Sequence, residues 1–257
     1  MEWIVEEHGE IEVWTINGES RRNSITRAML TGLITELQRA EQSRRLRCVV
    51  ITGAGNRAFC AGADLKERAR MDDAEVHAFH RDLRASLSGI EASSKVFIAA
   101  INGAALGGGL ELALACDLRV MSSTAEVGLP EVGLGIIPGG GATQRLPRAI
   151  GVARAKDLIL TARRIDAVEA LAYGLVTRAA PPEQLQQAAL EMASEVARNA
   201  PVSLRQAKRA IDGGLHLPLA EALELENRMY QDCLGTKDRL EALKAFAQKR
   251  RPTFTGE

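Results

Sequence analysis

Apolar positions recur along the chain with two different periods, and each change of period marks an element. Trp3 to Val5 and Ile11 to Ile16 read as two short strands around a turn at His8 and Gly9. Met29, Leu30, Leu33, Ile34 and Leu37 fall at helical spacing, as do Val76, Phe79, Leu83, Leu87 and Ile90. Between those helices, Cys48 to Thr52 is an unbroken apolar run, rich in β-branched residues and bounded by Gly53, which predicts a buried strand. Val96 to Ile101 and Leu118 to Met121 predict two more strands, with a short helix over Leu110 to Ala115 between them. Strands that run apolar without alternation, separated by helices, predict parallel pairing with both sheet faces covered.

From Gly151 onward the pattern is helical: Ala153–Leu160, Ala167–Ala172, Leu185–Ala197, Leu204–Ile211, Leu219–Tyr230 and Arg239–Phe246. Pro181, Pro182, Pro201 and Pro218 punctuate it at helix starts. The predicted fold class is α/β, with a helical C-terminal third and no internal repeat.

Composition changes this picture mainly by exclusion. Lys and Arg total 33, and Asp and Glu total 33, so the chain carries no net charge to attract a polyanion. The basic clusters, Arg44, Arg45 and Arg47 and then Lys249 to Arg251, are short and read as solvated helix ends. No nucleic-acid partner is expected. The longest uncharged stretch, Val96 to Leu110, falls short of the ~20 apolar residues a membrane-spanning helix needs. The acidic start MEWIVEEHGE lacks an export-signal pattern, and Cys48, Cys60, Cys116 and Cys233 are scattered. These features predict reduced thiols and a cytoplasmic protein. His8, His77, His80 and His216 form no metal-ligand set, so no metal is expected.

Three glycine-rich segments follow buried runs: residues 59–65 (FCAGADL), 102–109 (NGAALGGG) and 138–141 (PGGG). Small residues in such loops let a ligand approach the backbone and expose its N–H groups, although each cluster alone also reads as a tight turn. The spacing matches neither a P-loop nor a dinucleotide fingerprint. Two acids stand beside these loops. Glu111 lies in the first turn of the helix after Gly109, and Glu131 follows Pro130 shortly before the third cluster. Either could be plain: a dipole-complementing first-turn acid, or a turn residue. Both, however, have apolar neighbours in sequence, and an acid in apolar company has a raised pKa suited to proton transfer near neutrality. Two such carboxyls beside exposed main-chain donors suit acid–base chemistry around a polarised carbonyl. No G-x-S-x-G and no Ser/His/Asp or Cys/His set points to covalent acyl transfer.

The segments FCAGADLKERA (59–69), INGAALGGGLELALACDLRV (101–120) and LPEVGLGIIPGGGATQRLPRAIG (129–151) resemble the enoyl-CoA hydratase/isomerase, or crotonase, superfamily over nearly the whole chain. FCAGADLKERA, GGGLELALACD, IPGGG and TKDRLEAL (236–243) are most similar to its 3-methylglutaconyl-CoA hydratase subgroup. The resemblance implies a crotonase-type ββα superhelix over residues 1–195 and a helical region over 196–257 that mediates trimers or dimers of trimers, with Leu219, Leu223, Leu225 and Met229 as candidate contacts. It implies a hydro-lyase that reversibly hydrates a 2-enoyl-CoA, with coenzyme A thioester as substrate and no cofactor. The narrower expectation is interconversion of 3-methylglutaconyl-CoA and 3-hydroxy-3-methylglutaryl-CoA in leucine or isovalerate breakdown. Crotonyl-CoA hydration, or isomerisation or decarboxylation on the same scaffold, are the alternatives.

By the same resemblance, the N–H groups of Ala63 and Gly108 form the oxyanion hole, and Glu111 and Glu131 hold and activate water. Gly139 lines the acyl pocket. Arg22, Ser24, Ala61, Asp64, Leu65 and Lys66 border the CoA, and Phe246 and Lys249 reach a neighbouring subunit's CoA. The early loop Arg21 to Ser24 departs from the usual family wording. A methylglutaconyl carboxylate wants a cationic partner, for which Lys66, Arg68, Arg70 and Arg84 are the candidates. Some relatives bind RNA through a lysine-rich early helix; the matching stretch Thr26 to Ser43 holds Arg27 and Arg39 but no lysine.

Overall fold

The computed structural model describes all residues, Met1 to Glu257. The main sheet contains β1 (Trp3–His8), β2 (Ile11–Ile16), β3 (Cys48–Gly53), β5 (Val96–Ile101), β7 (Leu118–Ser122) and β10 (Arg178–Ala180) in that spatial order. β1 and β2 are an antiparallel hairpin, and every later pairing is parallel. Alternation along each central strand divides the core. Val49 and Ile51 join the large cluster, where Trp14 meets Phe97 edge-on at 5.5 Å. Cys48 and Val50 face the other way, onto Leu185, Ala189, Met192 and Ala193 of helix α8 (Leu185–Ala197). With both faces covered, the strands have no polar side to show, as their unbroken apolar runs require.

A second, smaller sheet left no trace in the hydrophobic periodicity. Its strands β4 (Ala58–Cys60), β6 (Ala104–Leu106), β8 (Glu126–Gly128) and β9 (Arg164–Asp166) have three residues each, too few to show a period. β4, β6 and β8 run parallel. The chain thus makes three successive turns of a spiral, each placing one strand in the large sheet and the next in the small one: β3 then β4, β5 then β6, β7 then β8. This is the ββα superhelix of the crotonase fold.

Helices α1 (Arg27–Gln42), α3 (Asp73–Ala92) and α4 (Gly108–Ala115) close the turns of the spiral. Thr26 caps α1 and a reciprocal Asp72–Glu75 pair caps α3. Two helices escaped the periodicity: α2 (Leu65–Arg68), only four residues long, and α5 (Ala142–Ile150), which contains Pro147. Helices α6 (Val152–Thr161) and α7 (Ala167–Ala172) follow. Beyond α8, α9 (Pro201–Gly214) packs on α10 (Leu219–Leu234), and α11 (Lys237–Ala247) ends the fold. No residue of α10 is buried within the chain, and Leu219 and Leu223 are exposed. No helix is long and apolar enough to cross a membrane.

Candidate active site

Because β4, β6 and β8 are parallel neighbours, the loops leaving their carboxyl ends lie side by side, though they are far apart in sequence. These loops carry Ala61 to Asp64, Gly107 to Gly109, and Pro130 with Glu131. They form one wall of a cavity of about 1120 Å³. The opposite wall is α3, through Val76, His77, His80 and Arg84, and the third glycine cluster closes one end with Gly139. Leu65, Leu134, Ile136 and Ile137 are exposed apolar side chains on its rim. A cavity of this size, apolar with a few convergent polar groups, suits a small-molecule acyl group.

Ala63 sits in an isolated bridge with Ile25. Ile25 donates to Gly62 O at 2.8 Å and accepts from the Asp64 N–H at 3.0 Å. Both bonds are made by the residues flanking Ala63, so Ala63 itself presents its N–H to the other side. Gly108 is the first residue of α4, where the N–H has no intrahelical acceptor. Neither N–H donates to a main-chain oxygen of the chain. The two loops touch: a Cβ built on Gly62 would lie 3.5 Å from Gly108 N.

Glu111 is 2% exposed and Glu131 is 8% exposed. Burial raises the Glu111 carboxyl above the usual range, opposed by the N–H groups of Ala142 and Gly140 and by the charges of Arg145 and His80. The Ala142 N–H donates to Glu111 Oε1 at 3.0 Å. Glu131 lies on a short 3-10 turn, Glu131–Leu134. Burial pushes it up to about 7, its own backbone N–H opposes this, and the charge of Glu111 adds to the rise. Glu131 Oε2 is buried with no hydrogen-bond partner. The two acids therefore differ. Glu111 is held by main-chain donors that favour the carboxylate, whereas Glu131 has a free oxygen and keeps its proton to neutrality.

Of the other residues singled out by sequence, Ala61, Leu65 and Gly139 also line the cavity. Ser24, Asp64, Arg22 and Lys66 do not line it but build its frame. The Ser24 hydroxyl donates to Asp64 Oδ2 at 3.2 Å. Asp64 Oδ1 in turn caps α2, accepting from Lys66 N at 2.9 Å and Glu67 N at 3.1 Å. Burial works against the Asp64 carboxylate, but these donors outweigh it and hold its pKa below the ordinary value. Arg22 contributes its carbonyl, which accepts from Ala61 N at 3.1 Å. Phe246, 86% exposed, and Lys249 lie at the end of α11, outside the cavity wall. Among the cations, Arg68 and Arg84 line the cavity, while Lys66 and Arg70 do not. The Arg68 guanidinium stacks 5.2 Å over the Phe79 ring.

Sequence reasoning passed over three groups of the site. His80 Nε2 lies 2.9 Å from Gly139 O, and only the row His77, His80, Arg84 at helical spacing marked that face. Arg145 and Glu91 form an ion pair of 2.7 Å behind the third glycine cluster. Asn23 anchors the early loop, its amide donating to Ala58 O at 2.7 Å and Ala54 O at 3.0 Å.

Comparison with known proteins agrees with the fold. The family model for enoyl-CoA hydratase/isomerase matches residues 6–257. The chain is 46% identical to a putative enoyl-CoA hydratase/isomerase, YngF, of Bacillus subtilis, over 94% of this chain and 93% of the relative. It is 45% identical to the mitochondrial methylglutaconyl-CoA hydratase of Rattus norvegicus, over 99% of this chain and 82% of the relative. A crystal structure of an enoyl-CoA hydratase from Bacillus anthracis, 45% identical, superposes with a TM-score of 0.98 over 100% of both chains. A family model that spans nearly the whole chain, relatives of this identity and a superposition over both full chains lead to one conclusion: the chain belongs to the enoyl-CoA hydratase/isomerase family.

Proposed function

We propose that this protein reversibly hydrates a 2-enoyl-CoA thioester. The observation that carries the reading is the pair of buried carboxyls, Glu111 and Glu131, in one cavity with the unengaged N–H groups of Ala63 and Gly108. The two N–H groups donate to the thioester oxygen and stabilise the enolate that forms as water adds. Glu111, fixed by the Ala142 N–H, is the base: it takes a proton from water, whose oxygen bonds to C3. Glu131, protonated up to about 7, delivers its proton to C2 as the enolate collapses. Proton transfer between the acids through the product hydroxyl or bulk water resets the site, and the reverse sequence is dehydration. No group beyond the chain and its CoA substrate is needed.

For the acyl group we favour 3-methylglutaconyl-CoA, hydrated to 3-hydroxy-3-methylglutaryl-CoA, as in leucine or isovalerate breakdown. Arg68 and Arg84 support it, as cations in the cavity wall for a distal carboxylate. So does the likeness to methylglutaconyl-CoA hydratases. Crotonyl-CoA is the competing substrate, favoured by the apolar rim of Leu134, Ile136 and Ile137. A spectrophotometric panel of enoyl-CoA esters decides between them. A kcat/KM for 3-methylglutaconyl-CoA above that for crotonyl-CoA supports the narrower reading, the opposite order removes it, and CO2 release or double-bond migration without hydration removes the hydratase itself.

The remaining assignments follow the same reading. Residues 1–195 are the catalytic core, and 196–257 provide oligomer contacts in a trimer or dimer of trimers, consistent with the unburied face of α10. There Phe246 and Lys249 meet a neighbour's CoA, while Arg22, Ser24, Asp64 and Lys66 border the chain's own. Four unpaired cysteines fit a reducing compartment, here the cytoplasm.

A further inference from the structure

Two side chains outside the proposed chemistry grip successive carbonyls of the third glycine cluster. On α3, His80 Nε2 sits 2.9 Å from Gly139 O, so the ring carries its proton on Nε2 and donates. On α5, Arg145 Nη1 donates to Gly140 O at 2.8 Å, while Nη2 donates to Glu91 of α3 at 2.7 Å. Arg145 Nε is buried with no partner. Position 141 has φ 114°, and a Cβ there would collide with the Arg145 guanidinium, so the turn and the arginine fit only with glycine at that place.

The planar peptide makes this grip consequential. In a trans peptide C=O and N–H point to opposite sides. When His80 holds the Gly139 carbonyl, the Gly140 N–H in the same plane faces away from His80, and a Cβ on Gly140 would stand 2.6 Å from Glu111 Oε2. When Arg145 holds the Gly140 carbonyl, it fixes the peptide between that plane and the next, whose Ala142 N–H donates to Glu111 Oε1. We propose that His80 and Arg145 are positioning residues for Glu111: they clamp the 139–141 turn so that its amides stay aimed at the carboxylate. The ion pair with Glu91 ties the clamp to α3, so the wall of the acyl pocket and the proposed base share one support. This inference rests on the hydratase reading for Glu111's role as base. The groups facing Glu111 are His80 from α3, Arg145 from α5 and Glu131 from the 3-10 turn, and the first two favour its ionised form.

The test uses the full-length enzyme with Arg145→Gln, Arg145→Lys, His80→Ala and His80→Gln, assayed on a hydrated enoyl-CoA across pH. The Glu111 carboxyl is also followed by carbon-13 NMR in the free enzyme, and Tm is recorded. Arg145→Gln is expected to lower kcat ~10- to 100-fold with KM within about threefold, because displacement of the base misaligns it rather than weakening CoA binding. Its Glu111 titration and the acidic limb of kcat move to higher pH. Arg145→Lys keeps the charge but cannot span both acceptors, so it restores the limb and only part of kcat. His80→Gln, which retains a donor, exceeds His80→Ala, and the His80→Ala/Arg145→Gln double variant loses less than the product of the two. Wild-type kcat and Glu111 titration in Arg145→Gln overturn the clamp. So does a fall in kcat together with KM and Tm while the Glu111 titration stays in place. Should the wild-type enzyme hydrate no enoyl-CoA, the hydratase reading fails, and the NMR titration still judges the clamp separately.

Discussion

The Glu131 carboxyl is packed against the backbone of Gly107: a Cβ at position 107 would stand 2.9 Å from Glu131 Oε1. Gly107 has φ 55° and ψ −125°, a region open essentially to glycine. It also donates its N–H to Gly128 O at 2.9 Å, joining the loops that carry the proposed oxyanion donor and the proposed acid. Gly107→Ala must therefore strain the backbone and push Glu131 out of place at once. The expected cost is about 1–3 kcal/mol of stability and a kcat loss of ~10- to 100-fold, with KM little changed. Steady-state kinetics and a melting curve on the same preparation check both.

Glu111→Gln and Glu131→Gln keep the size and planar shape of each side chain but remove its charge, one acceptor oxygen and its proton chemistry. Each is expected to reduce kcat by ~10²–10⁴-fold, while CoA affinity, measured by calorimetry with a product analogue, changes by less than about threefold. The double variant should lose less than the product of the singles, because the acids act in one step. Wild-type turnover in either single variant would remove that acid from the chemistry.

How much of this was written in the sequence depends on which physical signal each part leaves. β3 and β5 were legible because burial on both faces leaves them almost wholly apolar, as Val49 and Val50 show by joining opposite core clusters. β4, β6 and β8 were not, since Ala58–Cys60 or Glu126–Gly128 is too short to carry a period. Glu111 and Glu131 stood out as acids in apolar company, a local signal. Asn23 and Arg145 left none, because their partners Ala58 and Gly140 are main-chain carbonyls, and any residue supplies a carbonyl. The family resemblance, not any local pattern, put Ser24 and Asp64 beside the CoA; in the structure they bond to each other and Asp64 caps the start of α2, contacts that no sequence signal marks.

Gly108 offers a way to remove one N–H donor and little else. As the first residue of α4, it stands where proline is tolerated, since that N–H makes no helical bond. Gly108→Ala keeps the donor; its Cβ meets the flexible end of Ile25 at 3.0 Å and touches Ala63 N and Gly62 Cα at an ordinary 3.9 Å. Relative to that control, Gly108→Pro is expected to lower kcat by ~10²–10³-fold. Equal rates for the two variants, at comparable Tm, would show that the Gly108 amide does not serve the thioester oxygen.

Glu131 also links function to stability through pH. Burial raises its pKa from 4.5 to about 7 in the folded chain. Below the unfolded value both states hold the proton, and Glu131 makes no difference. Between the two values the folded state holds more protons than the unfolded, so stability falls as pH rises through that window. Above about 7 the full penalty is present, on the order of 3 kcal/mol by the size of the shift. Glu131→Gln cannot ionise and escapes it. The variant is therefore expected to match wild type in stability near pH 4.5 and to exceed it at pH 8, while losing activity at both. Urea unfolding of the two proteins across that range reads the difference directly. If the gap between them stays flat from pH 4.5 to 8, Glu131 is not the neutral-pH acid that the hydration step requires.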